Sequence, residues 1–243
     1  MYLDAIALEA RNPSAQARFW SAALGVPAHP RGDAGFELRT PGTGFRLVPA
    51  PAAFTDRGEE AVTRLHLDLH GGSDHGGYAR RLLGLGARRR DVGQGDVPWE
   101  VLADTEDHVF CVMPGARYAG PGPGIGALPI DSASPRADRD FWAKVTGWTP
   151  VGEPDDGGDP ELRHPDGSGP LLAFCAELGP KPAGGRNAMG LVVGLDGGER
   201  AADAHQRLVD LGARPVESDP GALWRLFTDP SGNEFRLATA PTL

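Results

Sequence analysis

The chain says the same thing twice. Phe19-Trp20 returns as Phe141-Trp142, Leu85-Gly86-Ala87-Arg88 as Leu211-Gly212-Ala213-Arg214, and the stretch from Asp104 to Phe110 as that from Asp229 to Phe235. The echoes keep their order at offsets of 122, 126 and 125 residues. Chance does not preserve order and spacing together, whereas duplication of a domain does. The duplication divides 243 residues into two units of ordinary domain size, each long enough to bury a core. Function is therefore sought in concave surfaces within each half or between the halves.

The boundary is the Gly/Pro-rich stretch from Pro114 to Gly126, which interrupts helical and strand periodicity alike and reads as a short linker. It sets the expected domains at residues 1–115 and 124–243, and the two are expected to pack against each other. A formal charge of −9 opposes a nucleic-acid partner. The one dense basic run, Arg88-Arg89-Arg90, reads as a solvated helix exit, with contact to an anionic ligand as its alternative. Cys111 and Cys175 fall in different halves, so no disulfide framework is expected. No apolar run approaches the roughly 20 residues of a membrane span, and the N-terminus lacks the layout of a signal peptide. A soluble, cytoplasmic protein is the expectation.

Each half carries the same order of elements. In the first, a strand over Tyr2 to Ala10 leads to Asn12 as N-cap and Pro13 at the first helical position, where the missing N–H costs nothing. Phe19, Trp20, Ala23 and Leu24 form the apolar stripe of that helix, and Gly25 ends it. Ser134-Pro135, Phe141, Trp142, Val145 and Gly147 repeat the pattern. Strands are expected at Gly35 to Arg39 and Phe45 to Pro49, and again at Glu161 to Arg163 and Pro170 to Ala176. A further unit opens at Arg64 to His70, continues as a helix from His75 to Leu85, and closes with strands at Trp99 to Ala103 and His108 to Met113. Its counterpart runs through Met189 to Leu195, a helix from Glu199 to Leu211, Leu223 to Thr228, and Glu234 to Ala238. The chain is thus four β-α-β-β-β modules, an α+β architecture in which helices cover one face of each sheet and leave the other free to curve around a cavity.

With these residues in this order the chain resembles the vicinal oxygen chelate superfamily, the glyoxalase, bleomycin-resistance protein and dioxygenase fold, most closely its glyoxalase-like domain branch. The resemblance is carried by Asn12-Pro13 through Phe19-Trp20 with Leu24-Gly25, by His66-Leu67-Asp68-Leu69, by Leu85-Gly86-Ala87, and by Asp104 with Val109-Phe110-Cys111-Val112. In the second half it is carried by Ser134 through Phe141-Trp142, Pro180-Lys181-Pro182 with Arg186-Asn187, Leu211-Gly212-Ala213, and Asp229 through Phe235. It covers nearly the whole chain. It implies tandem domains of paired modules with curved mixed sheets, whose cavities bind a small molecule, often around a divalent metal.

The ligand positions that the resemblance implies fall on Ala5, His66 and Cys111 in the first half and on about Ala127, Gly190 and Arg236 in the second. Of these only His66 ligates in the usual way, so no metal site and no cofactor are expected and a divalent metal is disfavoured. Glu234 shares a strand face with Arg236. Alternation places His66, Asp68 and His70 on one side of their strand and Leu65, Leu67 and Leu69 on the other. That polar row either contacts a ligand and supports acid-base chemistry, with His66 and Asp68 as the catalytic candidates, or consists of satisfied residues on a wet sheet face.

Cys111, within the stripe Val109, Cys111 and Met113, is a candidate ligand contact that reads better as a packed thiol; Cys175 reads the same way. Trp99 and Trp224, at matching places in the two halves, are the preferred pocket aromatics, while Phe36, Phe45, Phe110, Phe174 and Phe227 line a cavity or fill a core. His29, His108 and His164 lack a shared metal-binding spacing. The acidic run at Asp155 to Asp159 reads as a hairpin rather than a calcium loop, and the Gly pairs read as turns. The leading expectation is metal-independent binding of a small, partly apolar organic molecule, with resistance by sequestration as its use. Two alternatives stand beside it: a lyase, isomerase or dioxygenase using His66 and Asp68 or an unrecognised metal site, and a structural pseudo-domain.

Overall fold

Asn12 does what a capping residue does: its side-chain oxygen accepts from the Ala15 N–H at 3.0 Å, and Pro13 opens the first helix. That helix and its repeat end at Gly25 and Gly147, both left-handed with φ of 69° and 72°, a conformation that a residue with a Cβ adopts only at a cost. The repeat is imperfect. Ser134 makes no side-chain cap bond, and the Ser132 hydroxyl accepts the Ser134 N–H instead.

A computed structural model of the chain describes residues 1–40, 45–51, 61–115, 124–152, 157–216 and 224–239. Module 1 comprises β1 (Tyr2–Ala10), α1 (Pro13–Leu24), β2 (Ala28–Pro30), β3 (Phe36–Arg39) and β4 (Arg46–Pro51). After β5 (Ala61–Val62), module 2 comprises β6 (Leu67–His70), α2 (His75–Gly84), β7 (Arg88–Arg89), β8 (Glu100–Ala103) and β9 (Val109–Met113). Module 3 follows with β10 (Gly124–Ser132), α3 (Pro135–Thr146), β11 (Thr149–Val151), β12 (Glu161–Arg163) and β13 (Leu171–Ala176). After β14 (Arg186–Asn187), module 4 holds β15 (Met189–Gly194), α4 (Ala201–Leu211), β16 (Arg214–Pro215), β17 (Trp224–Thr228) and β18 (Glu234–Ala238).

The α+β architecture of four β-α-β-β-β modules is as expected. Several details differ from the sequence reading. The basic run is not a helix exit: α2 ends at Gly84, and Arg88 and Arg89 form an edge strand held by ion pairs to Asp107 and Glu100. Two residues are too few to show a period, so β7 and its counterpart β16 leave no sequence signal. Strand β10 begins at Gly124, inside the Gly/Pro stretch, while linker residues 116–123 lie outside the described residues, as do Asp155, Asp156 and Leu223.

Each eight-stranded sheet takes one module from each half. One runs β16-β17-β18-β15-β1-β4-β3-β2 and joins modules 1 and 4; the other runs β11-β12-β13-β10-β6-β9-β8-β7 and joins modules 2 and 3. Both are mixed: β1 pairs parallel with β4 and antiparallel with β15, and β10 repeats this with β13 and β6. The cavity assigned to the His66 strand is therefore not closed within the first half; module 3 supplies its other wall. Short strands β5 and β14, which lead into modules 2 and 4, pair with each other.

What holds each half together is the helix layer. Trp20 and Phe19 on α1 pack on Phe110 of module 2, and Trp142 and Phe141 on α3 pack on Phe235 of module 4. In both copies the indole N–H donates to a buried carboxylate, Trp20 to Asp104 at 2.9 Å and Trp142 to Asp229 at 3.3 Å. The echoes noticed in the sequence are thus partners in space, and their role is structural. Phe36, Phe45, Phe110, Phe174 and Phe227 all belong to or pack on this main core, and Phe45 also lines a cavity of 240 Å³ beside Trp148 and His164.

Candidate functional site

The inner alternation of β6 sends Leu67 and Leu69 into the main core and leaves His66, Asp68 and His70 for the opposite face. The same alternation buries Phe110 and Val112 of β9, Leu128 and Ile130 of β10, and Leu172 and Phe174 of β13 under the helices. The concave face of the sheet of modules 2 and 3 is built from what remains. Its floor is apolar: Cys111, Met113, Ala127 and Leu171 cluster there, with Trp99 and Val101 packed against them. Trp99 is half-buried and its indole N–H donates to Gln94 at 3.1 Å, which fixes the ring at the rim.

Polar groups converge beside that floor. His66 is anchored by its backbone N–H to the Pro129 carbonyl, and its Nε2 lies 3.4 Å from the Asp68 Oδ1. Asp68 stands opposite Cys111 in the parallel register of β6 and β9. One donor atom from each of His66, Asp68 and Cys111 falls within 4.8 Å of the others. Burial, reinforced by the charge of Asp68 and a hydrogen bond to it, pushes the Cys111 thiol up to about 12, so it is protonated at neutral pH and is no nucleophile. His70 is pushed down by burial, which favours its neutral form.

Module 3 adds two residues that sequence reasoning did not single out for the site. Asp131 and Cys175 are register partners on β10 and β13, and Cys175 donates to Asp159 across 3.5 Å. Burial and then the charges of Asp159, Asp131 and Asp68 raise this thiol to about 12 as well. Burial also raises Asp131, against the opposing charges of Arg64 and His66. The backbone of Asp131 is clamped: its carbonyl accepts from Arg64 Nη2 at 3.2 Å and Asn233 Nδ2 at 2.9 Å, and its N–H donates to the Arg64 carbonyl at 2.8 Å. A cavity of 420 Å³ at the start of α3, lined by Ser134, Arg136, Arg139 and Asp159 among others, shares Asp159 with this face.

Of the residues singled out from sequence, His66, Asp68, Trp99 and Cys111 share this concavity, and Trp224 does not. Trp224 packs on the other sheet, against a floor of Ala5, Ala7, Val48 and Val192. There the ligand positions implied by the resemblance are donor-poor. Arg236 lies over Gly190, where a Cβ would come within 2.8 Å of its Nη1, and pairs with Glu9. Glu234, on the face of Arg236 as alternation requires, pairs with Lys181.

The donor chemistry of the first concavity suits a borderline metal. Imidazole, carboxylate and thiol are the ligand types of zinc-like ions, and three protein donors leave a coordination position for another molecule. His66, Asp68 and Cys111 are the residues that would hold such an ion, which would act as a Lewis acid toward a bound oxygen; Cys111 would have to surrender its proton. Asp68, two residues from His66 along the same strand, is the donor that the family's ligand positions do not include.

The family profile for glyoxalase-like domains matches the chain twice, over residues 5–113 and 127–238. A provisionally assigned dioxygenase from Bacillus subtilis subsp. subtilis str. 168 superposes with a TM-score of 0.59 at 14% identity, over 100% of this chain and 86% of that one. Glyoxalase I from Zea mays superposes with a TM-score of 0.59 at 12% identity, over 98% of this chain and 92% of that one. Identities this low establish a common fold. No curated protein matches the sequence. Among the described residues no helix is long and apolar enough to cross a membrane.

Proposed function

Since the chain belongs to the glyoxalase-like domain family of the vicinal oxygen chelate superfamily, we propose that it binds a small, partly apolar organic molecule on the concave face shared by modules 2 and 3, without needing a metal ion. The observation that carries this is the pairing of an apolar floor (Cys111, Met113, Ala127 and Leu171, with Trp99 against it) with the polar His66–Asp68 couple at its side. Trp99 and the floor supply area, and His66 and Asp68 orient polar groups of the ligand. Both thiols are held protonated, which fits packing and hydrogen bonding rather than covalent chemistry. Sequestration is the use that such binding serves.

The test is calorimetric titration of metal-free protein with 1-naphthalenemethanol, a neutral probe of floor size. Saturable binding that Trp99→Ala weakens about tenfold, with the probe recovered unchanged, is expected. Binding indifferent to Trp99→Ala, or none, sinks the reading.

One observation favours a second reading. The His66, Asp68 and Cys111 trio supports metal-assisted lyase, isomerase or dioxygenase chemistry, with His66 or Asp68 as general base. Elemental analysis of protein purified without chelator separates the two. A near-stoichiometric transition metal that His66→Ala removes would put this reading first.

A further inference from the structure

The two concave faces carry different charge. On the sheet of modules 1 and 4 the inward positions of the four central strands bear Glu9, Arg46, Glu234 and Arg236, each already neutralised: Glu9 by Arg236, Arg46 by Asp4 and Glu37, and Glu234 by Lys181. On the sheet of modules 2 and 3 the corresponding positions of β6, β9, β10 and β13 bear Asp68, His70 and Asp131; just before β6 the same alternation carries His66 and Arg64, the latter paired with Glu177. Asp159 adds a third carboxylate at the edge, beside Cys175.

Asp131 feels the charges of Arg64 and His66 but is paired with neither. Its carboxylate makes no hydrogen bond or ion pair with the described residues, although its backbone is held on both sides. Arg64, the nearest arginine, is spent elsewhere: its Nε donates to Asn233 at 2.8 Å and its Nη2 pairs with Glu177 at 2.7 Å. Both thiols of the face sense this field, since the carboxylates act on them in the same direction as burial. A half-buried carboxylate on a rigid backbone, four residues along β10 from Ala127 of the apolar floor, is a receptor for a positive charge on an apolar body. A chain of net charge −9 steers such molecules toward it.

We infer that the ligand of this cleft is an organic cation, an amine-bearing molecule with an apolar or aromatic body, with Asp131 and Asp68 as its counter-charges on either side of His66. This rests on the cleft reading proposed above, and it adds Asp131, contributed by the second half of the chain, to the binding residues.

Three probes of one shape and three charges test it on the full chain at neutral pH: 1-naphthylmethylamine, 1-naphthalenemethanol and 1-naphthoate, each by calorimetry at low and high salt. The ammonium probe is expected to bind about tenfold tighter than the alcohol, and the carboxylate more weakly than either. The margin should shrink in high salt. Asp131→Asn is expected to cost the ammonium probe several-fold in affinity and leave the alcohol unchanged. The Asp131 backbone clamp does not involve the replaced atoms, and an unaltered melting temperature verifies that the variant folds; Asp68→Asn serves as the second variant. Alcohol binding as tight as ammonium binding, still dependent on Trp99, overturns the cation inference and leaves the cleft standing. An ammonium preference untouched by both Asp variants overturns it too, and failure of all three probes to bind overturns both proposals.

Discussion

Asp104 and Asp229 occupy the same place in the two copies, buried to 0% and 1% exposure under the indole of Trp20 or Trp142, yet their surroundings push them in opposite directions. Burial raises both. At Asp104 this is more than offset by the hydrogen bond and charge of His108, the amide of Gln16 at 3.0 Å and the Glu106 N–H, so the carboxyl lies below its ordinary range. At Asp229, Asn233 stands where His108 stands and Asp138 stands where Gln16 stands, replacing a histidine and an amide by an amide and a second acid. Burial dominates, Asp138 adds to it, and Asp229 is pushed up to about 6. The duplication copied the fold of this node, and the copies have kept its geometry while differing in its charge.

The largest effect expected from breaking the comparison is at Asp104. Asp104→Ala strands the Trp20 indole, the Gln16 amide and the Glu106 and His108 N–H groups in a site closed to water. A loss of about 3–5 kcal/mol in urea unfolding at pH 7 is expected. Because the folded pKa is depressed, the stabilisation due to this carboxylate is present above its unfolded value of 3.8 and is lost as pH falls through the folded value. A variant as stable as the parent at neutral pH would show that the node is ornamental.

Asp229 reverses the sign. Its folded pKa of about 6 lies above the unfolded 3.8, so its contribution is full below about pH 4 and is lost as pH rises through 6. The span of two pKa units corresponds to roughly 3 kcal/mol. Asp229→Asn discards the titration but keeps one acceptor oxygen where the carboxylate offers two, Oδ1 to the Asn233 N–H and Oδ2 to Trp142. Its stability relative to the parent is expected to rise by about 2–3 kcal/mol between pH 4 and pH 8. Equal effects at both pH values would sink the assignment. Asp138→Asn sharpens the point, since removing the neighbouring charge should bring the Asp229 transition, followed by the pH dependence of stability, down toward the ordinary carboxylate range.

These nodes also mark what the sequence made legible. The Phe-Trp and Asp echoes are visible as text, because identity at a fixed offset needs no geometry. That Trp20 and Asp104 touch is a contact between modules, which neither helical nor strand period encodes. The same division runs through the candidate site. Alternation along β6 is local, so His66 and Asp68 could be placed on one face from the sequence, as could the aromatic Trp99. Bringing Cys111 beside Asp68 requires the register of β6 against β9. Bringing Asp131 beside them requires knowing that module 2 pairs with module 3 across the Gly/Pro stretch. Pairing between halves of a duplicated chain is underdetermined by pattern, since every module presents the same alternating edge to every other. Trp99 and Trp224 are therefore equivalent in the sequence pattern and lie on different sheets in the fold.

The smallest predicted difference tests whether the nodes differ in strength as well as in charge. Trp20 donates to Asp104 at 2.9 Å, a carboxyl held in its charged form, whereas Trp142 donates at 3.3 Å to a carboxyl that takes up a proton near pH 6. A hydrogen bond to an ionised acceptor is the stronger kind, and distance favours the same copy. Phenylalanine preserves most of the packing on Phe110 or Phe235 and deletes only the indole donor and part of the ring. Trp20→Phe should thus cost about 1 kcal/mol more than Trp142→Phe in paired urea titrations at pH 5, where Asp229 is largely protonated and Asp104 is not. The gap should narrow by pH 8 as Asp229 ionises. A gap that is constant with pH would mean that distance alone, and not the charge of the acceptor, separates the two copies.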